Sequence, residues 1–435
     1  MENEALSVTV RCEATMKKIT SEYTTNLVTH IKNIYNYSSK TTVTNNQIDY
    51  YYANIYDTDS DDNTSGGLMN DRLGGAQTLS SGIGNIRYYG ANPNNYVDIG
   101  DTYTVATTIS NFEKNSMLMS SFEIETEESC KTFFDCSTNY GEIGSLFDMT
   151  YANEAECLLG LKNDYHVSSV NEICGIEEKQ VGDPKLYRII GLFKDIETST
   201  GEKKDLVKVI REDSIGDFAW DLTGTSEEDY TFDNNWHDAT LMTILNNGYY
   251  NSSNSVFHSY YDWENDVYIS ATIDLSTKGL NSSVHNKIES VVWNLGGYNN
   301  SGIYPNDIYK YEREDAKCTN CTYDTTWPGK IALMYISDYS YGIDLSVCSS
   351  TIDSYYDPVC RYNDWLASTV NGNFTDWLLA PHSNRDNIVW TGESSIYFVD
   401  GDVNYRNGVR PVFYLTSDVG VVSGSGSKTD PYVVR

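Results

Sequence analysis

Residues 376–415 read DWLLAPHSNRDNIVWTGESSIYFVDGDVNYRNGVRPVFYL, and the reading of the fold starts there. Both ends have the character of framework. Trp377, Leu378 and Leu379 form an apolar plug, and Val409, Val412, Tyr414 and Leu415 flank the Arg410-Pro411 pair. Between them Asn, Asp, Ser, Tyr, Trp and Arg are mixed, punctuated by Gly392, Gly401 and Gly408. Tyr and Trp supply rigid contact area at low entropic cost, while Ser, Asn and Gly supply adaptable hydrogen bonding. This is the composition of a binding surface held between two structural ends, although a polar hairpin without a partner would read the same way.

The Arg410 guanidinium is hemmed in by Val409 and Val412, with Pro411 fixing the backbone beside it. It is therefore expected to be a buried scaffold residue and not a ligand contact. The binding face is expected over 385–406. Alternation puts Ile396 and Phe398 on the core side and Tyr397 outward. Upstream the parity is ambiguous, because Ile388 and Trp390 share one side and Val389 takes the other. Asp400, Asp402, Tyr405 and Arg406 fall on a glycine-bounded loop where acidic, aromatic and guanidinium groups can converge; Arg385 and Asn387 complete the candidate ligand-binding set. Such faces concentrate their energy in Trp, Tyr and Arg.

The rest of the chain fits that frame. It has 435 residues, 40% hydrophobic, with 36 Tyr against 12 Phe, which favours amphipathic strand faces over a greasy interior. The formal charge of −32 repels phosphate backbones and anionic membranes, so no nucleic acid is expected as a partner. No apolar run approaches the ~18 residues of a membrane span. MENEALSVTV has neither the basic start nor the apolar middle of a signal peptide.

Nine cysteines stand at 12, 130, 136, 157, 174, 318, 321, 348 and 360. No His lies at zinc-finger spacing from them, and Cys318-Thr-Asn-Cys321 lacks a second pair. Their polar, loop-like settings suit disulfides in an oxidising compartment. Cys348 and Cys360 are expected to pair. The expected location is extracellular or at the cell surface, with any export or anchor segment outside this sequence.

Read in order, residues 1–83 hold one helix, with Leu27, Val28, Ile31 and Ile34 as its apolar stripe, followed by an acidic linker. Asp57, Asp59 and Asp61 imitate the start of a calcium loop, but Asp62 replaces the required Gly and Leu68 the required Glu, so a solvated acidic loop is expected. Ile86 to Ile99 reads as strand, turn, strand. Residues 101–183 read as an irregular, cysteine-containing insertion into a domain spanning 84–435. LYRIIGLF and LVKVIRED predict a hairpin. Two helices are expected next, WHDATLMTILNN capped by Asp238 and LNSSVHNKIESVVW capped by Ser282 or Ser283. From Pro328 the pattern returns to strand. The fold class is α+β, with two helices, short antiparallel strands and long loops.

GANPNNYV, LYRIIGLF, KVIRED, W…LMTILNNGYY, GKIALMYISDYSYG, NDWL and GVRPVFYL, in this order, resemble an uncharacterised family of secreted or surface proteins of gut bacteria. The terminal GVRP is similar to the signature closing the C-type-lectin-like fold of formylglycine-generating enzymes and of the variable proteins of diversity-generating retroelements. That resemblance implies a buried structural arginine at 410 and an exposed, diversified face just before it. It also implies Val389 inward and therefore Trp390 outward.

The enzymes of that fold use a cysteine pair near this face, and residues 376–435 contain no cysteine. No G-x-S-x-G elbow or phosphate loop exists, and His382 stands alone near the key stretch. No catalytic residue, metal or cofactor is therefore expected. The reading is an adhesin-like binder of a protein or glycan. A structural cell-surface or pilus-type subunit is the alternative, and a relative of formylglycine-generating enzymes ranks last.

Overall fold

A computed structural model describes residues 25–53, 65–73, 84–111, 123–146, 150–165, 170–224, 230–262, 265–300, 302–313, 325–355, 357–361, 363–366, 375–393 and 398–435. The acidic 57–62 motif and Tyr397 lie outside these residues, as do Cys12, Cys318 and Cys321.

The chain is mixed α and β, dominated by sheet. Strand Tyr187–Glu197 is the spine of a 12-stranded sheet. Its run YRIIGLF is buried on both sides, which is why it reads as continuous apolar sequence and not as alternation. It pairs antiparallel with Lys203–Arg211, the expected hairpin. Ile86–Asn92 and Tyr96–Asp98 both lie against the same strand and do not pair with each other. Lys203–Arg211 pairs in turn with Val412–Leu415.

The segment ahead of residue 84 is more than a helix and a linker. Lys40–Asn45, Ile48–Ala53 and Ser65–Asn70 extend the same sheet beyond Ile86–Asn92, and Thr25–Asn26 pairs with Gly420–Ser423. The expected helix is present as Leu27–Tyr37, with the Asn26 side chain accepting from the Thr29 amide and Leu27, Ile31 and Tyr35 buried. These residues share one apolar core with the C-terminal half, so no break in packing falls at 83/84.

The second sheet carries the key stretch. Its strands run in the order Asp217–Ala219, Arg406–Gly408, Thr375–Pro381, Ile388–Glu393, Phe398–Asp402. The last residues of GVRPVFYL then pass into the first sheet. Arg410-Pro411 is the joint between the two sheets.

Further expectations fail. The region 101–183 is not irregular: Glu127–Phe133, Cys136–Leu146, Glu154–Tyr165 and Val170–Cys174 are helices around a second apolar cluster. Disulfides Cys130–Cys174 and Cys136–Cys157 close that cluster. Cysteine fills apolar positions there, so the helical stripe was invisible to a pattern of Leu, Ile and Val. Thr107–Ser110 and Ile176–Lys179, the strands that bracket these helices in sequence, pair antiparallel as a two-stranded ribbon.

The segment 280–293 is not a helix either. A 3-10 turn, Ser282–Lys287, follows Asn281 and gives way to strand Val291–Asn294, because Val291 and Trp293 are buried at a two-residue period. The GKIALMYISDYSYG run is strand only at Ile331–Ala332, and Ile336–Ser340 turns into a short helix.

The other expected helix exists as Thr240–Thr243 running into a π-helix, Ile244–Tyr249. Its N-terminus is satisfied by Asp221 and not by Asp238. Asp221 Oδ1 accepts from the Thr240 amide at 3.0 Å, while Asp238 accepts from Asn235.

Cys348 and Cys360 form the expected disulfide, with Cα atoms 4.8 Å apart. Among the described residues no helix is long and apolar enough to cross a membrane.

Candidate functional site

Strand Ile388–Glu393 brings up the first part of the face, and the turn before it is fixed from outside. Asn234 is buried, and its Nδ2 reaches the carbonyls of His382, Arg385 and Ile388 at 3.1, 2.9 and 2.9 Å. Its own amide donates to the Asp386 carbonyl at 2.6 Å. A single side chain far away in sequence thus satisfies the backbone of the 382–388 turn. Nothing local to 382–388 signalled that partner.

On this turn Arg385 forms an ion pair with Asp400 across the sheet edge, both side chains being more than a third exposed. Asn387 Nδ2 donates to Asp402 Oδ1 at 2.8 Å, and the Val403 amide donates to the Asn387 carbonyl at 3.0 Å. The four expected polar residues therefore meet as two cross-strand pairs. An exposed ion pair of this kind contributes about 0–1 kcal/mol, so it orders the edge without committing it energetically.

Trp390 does not belong to this face. It is 6% exposed, its Nε1 donates to the Tyr298 carbonyl at 2.9 Å, and its ring stacks on His382 at 5.7 Å. Ile388 and Val389 are buried as well, so three consecutive side chains are covered and alternation could not choose a side. The inward placement of Val389 is as expected; the outward placement of Trp390 is not.

The aromatic character lost with Trp390 is supplied by a segment that sequence reasoning passed over. Hairpin Val256–Asp262/Val267–Ile273 is joined to the key stretch where the Tyr261 amide donates to the Asn404 carbonyl at 2.8 Å. Tyr405 lies parallel to Tyr261 at 5.7 Å, Tyr261 packs on Tyr268 at 4.9 Å, and Tyr268 stacks on Tyr230 at 4.3 Å. The Arg406 guanidinium sits over the Tyr260 ring at 4.2 Å. These tyrosines are partly exposed and Arg406 is exposed. The signal available in the sequence was the spacing HSYYDWENDVY, with tyrosines on both arms of a short hairpin.

Electrostatics distinguish the buried from the open groups. The Tyr261 hydroxyl donates to Asp266, which pushes its pKa up to about 12 and keeps it a donor. Beneath the arginine, His258 accepts from the Ala219 amide through Nε2 at 3.0 Å. Burial, then the charge of Arg406, pushes its pKa down to about 4 and keeps it neutral. No group of His, Cys, Asp or Glu among the described residues has the arrangement of a metal site.

The scaffold under the face is set by Arg410. It is 4% exposed, its Nε donates to Asp376 Oδ2 at 2.7 Å and its Nη2 to the Leu366 carbonyl at 3.0 Å. No protein-family model matches this chain, and neither a curated protein nor a solved structure does.

Proposed function

We propose that the chain is an extracellular, adhesin-like ligand-binding protein whose recognition face is the edge formed by 385–406 and the hairpin 256–273. The observation that carries this reading is the tyrosine row Tyr405, Tyr261, Tyr268, Tyr230, with the Arg406–Tyr260 pair formed by the chain neighbours of its first two members. Rings and a guanidinium that stack on one another while still partly open to solvent are pre-organised, so a ligand gains contact without paying to order them. Tyr and Arg are also the residues that dominate binding hot spots. Three disulfides among the described residues fit an oxidising compartment.

In this reading the scaffold is C-type-lectin-like, with the 385–406 edge in the position of the face that retroelements diversify in the variable proteins. Support comes from the arginine of GVRP, buried at the joint of two sheets, with an exposed polar edge directly before it. Face residues that bear no load in the core can vary without loss of the fold.

The test is capture on glycan and protein arrays by the purified protein and by a Tyr261→Ala, Tyr268→Ala, Tyr405→Ala, Arg406→Ala variant. The expected outcome is a ligand bound by the wild type and lost by the variant, with melting temperatures within a few degrees. Capture that survives the four substitutions would remove the face from the proposal. Head-to-tail polymers with no captured ligand would favour a structural surface subunit.

A further inference from the structure

Among the described residues, six Lys and Arg side chains are buried in this acidic protein: Arg87, Lys185, Arg188, Lys208, Arg211 and Arg410. Five have a carboxylate within ion-pair distance, namely Asp71 and Asp338 for Arg87, Asp101 for Lys185, Glu212 for Arg188, Asp338 for Lys208 and Asp376 for Arg410. Arg211 is the exception among the described residues. A buried guanidinium is costly unless its charge is matched and its donors are used.

What Arg211 does bond to is neutral. Its side chain donates to the Lys278 carbonyl, and its guanidinium lies over the Tyr249 ring at 5.7 Å. Tyr249 and Tyr187 are linked through their hydroxyls at 2.8 Å, and Tyr187 donates to Asp101 at 2.7 Å. The carboxylate at the end of that chain is two phenols away and already faces Lys185.

Arg211 also lines a cleft of about 250 Å³ between the main sheet and strand Thr107–Ser110. Lys278 and Arg406 line it with Arg211, against Asp213 and Asp217. Among the described residues that line it, that is three cations to two anions, in a chain of net charge −32. Lys278 is rooted by donating to the Ile215 carbonyl at 3.0 Å. Hydroxyls of Thr107, Ser110 and Ser214 and the ring of Tyr103 complete the wall.

We propose that this cleft binds one acidic sugar unit, a uronic or sialic acid, with its carboxylate on Arg211. The planar fork of a guanidinium matches a carboxylate, and a bound one would stand closer to Arg211 than Asp213, whose charge acts on it from beyond ion-pair distance. Asp213 and Asp217 are acceptors for ring hydroxyls, and the threonine and serine hydroxyls can both donate and accept. The cleft is smaller than the ~300–1,000 Å³ of sites for drug-sized ligands, which fits a single unit and not an oligosaccharide. The cleft lies apart from the tyrosine row and shares only Arg406 with the recognition face, so the proposal goes beyond the function proposed above.

The experiment is titration calorimetry of the full chain with glucuronic acid and N-acetylneuraminic acid. Glucose, acetate and a short peptide with a free C-terminus serve as comparisons. At least one acidic sugar should bind at least tenfold more tightly than all three, and more weakly as salt is added. Arg211→Met should cut that affinity at least tenfold, with Arg211→Lys intermediate. If Arg211→Met does not fold, Lys278→Met, at an exposed position, should still weaken binding severalfold. Equal affinity for glucose, binding of acetate or the peptide as tight as that of the sugar acid, absence of binding, or affinity unchanged in the folded variants would each overturn the assignment.

Discussion

Arg410 and Asp376 stand 2.7 Å apart, although they open and close the stretch on which the whole face is built. Asp376 belongs to a strand of the second sheet, and Arg410 is the joint from that sheet to the first. The pair therefore clamps the two ends of a long excursion, so that the residues between them can be polar and exposed without loosening the core.

Loss of that clamp should be felt globally. Arg410→Ala strands the Asp376 carboxylate and the Leu366 carbonyl, and Asp376→Asn removes the counter-charge of a guanidinium 4% exposed. Either change should cost about 3–5 kcal/mol. Urea unfolding is the measurement. A stable Arg410→Ala protein that merely lost ligand would make Arg410 a contact residue instead.

Trp390 and Tyr405 should separate cleanly. Trp390→Ala removes a buried indole and its bond to the Tyr298 carbonyl, and should cost about 3–5 kcal/mol. Tyr405 is partly exposed on a stack, so Tyr405→Ala should leave stability within about 1 kcal/mol. Thermal denaturation of the two variants side by side decides it. Similar losses would place Tyr405 in the core.

How much of this was legible depends on what carried each feature. Arg410 could be placed because its neighbours Val409, Pro411 and Val412 are apolar and rigid, a local property. The hairpin 187–211 announced itself by two long apolar runs. Trp390 could not be placed, because strand 388–390 is covered on both sides and a two-residue period then has no phase. Asn234, which holds the 382–388 turn, and the tyrosines of 256–273 act across long sequence separations, and nothing in a window around them shows the partner. The helices of 127–174 were missed because Cys130, Cys136, Cys157 and Cys174 hold inward positions between sparse Phe134, Ile143, Leu161 and Ile173, and the role of cysteine as core appears only once it is paired.

His258 predicts a pH dependence. Its pKa lies at about 4 in the folded protein against 6.5 as the ordinary value, because burial opposes the charged form. Below pH 6.5 the unfolded chain takes up a proton that the folded chain refuses, so this contribution is lost as pH falls from 6.5 towards 4. Its full size is on the order of 3 kcal/mol. Asp221, pushed up to about 6 by burial, acts in the opposite sense over an overlapping range. The comparison is therefore between wild type and His258→Gln, which keeps an acceptor for the Ala219 amide. The variant should lose less stability than the wild type between pH 6.5 and 4.5 in urea titrations. Parallel pH curves would show that His258 is protonated in the fold.

Asp338 should be costly to neutralise. It accepts from Arg87 at 3.0 Å, from Lys208 at 2.7 Å and from the Tyr335 amide at 3.1 Å, and all three charged side chains are fully or almost fully buried. Arg87 keeps a second partner in Asp71 at 2.6 Å, but Lys208 has Asp338 alone among its ion pairs with described residues. Burial already lowers the Lys208 pKa to about 7 with that partner present. Asp338→Asn removes the attraction that opposes this shift, so the ammonium must shed its proton or stay charged without a partner. The expected cost is about 3–5 kcal/mol. Lys208→Met in the same background removes the stranded charge and leaves an apolar chain among Phe193, Tyr335 and Tyr414, whose rings already surround the lysine. The double variant should therefore be more stable than Asp338→Asn alone, by at least about 1 kcal/mol of coupling in a double-mutant cycle. Additive losses would mean that the two charges do not depend on each other, and that Arg87 by itself holds Asp338 in place.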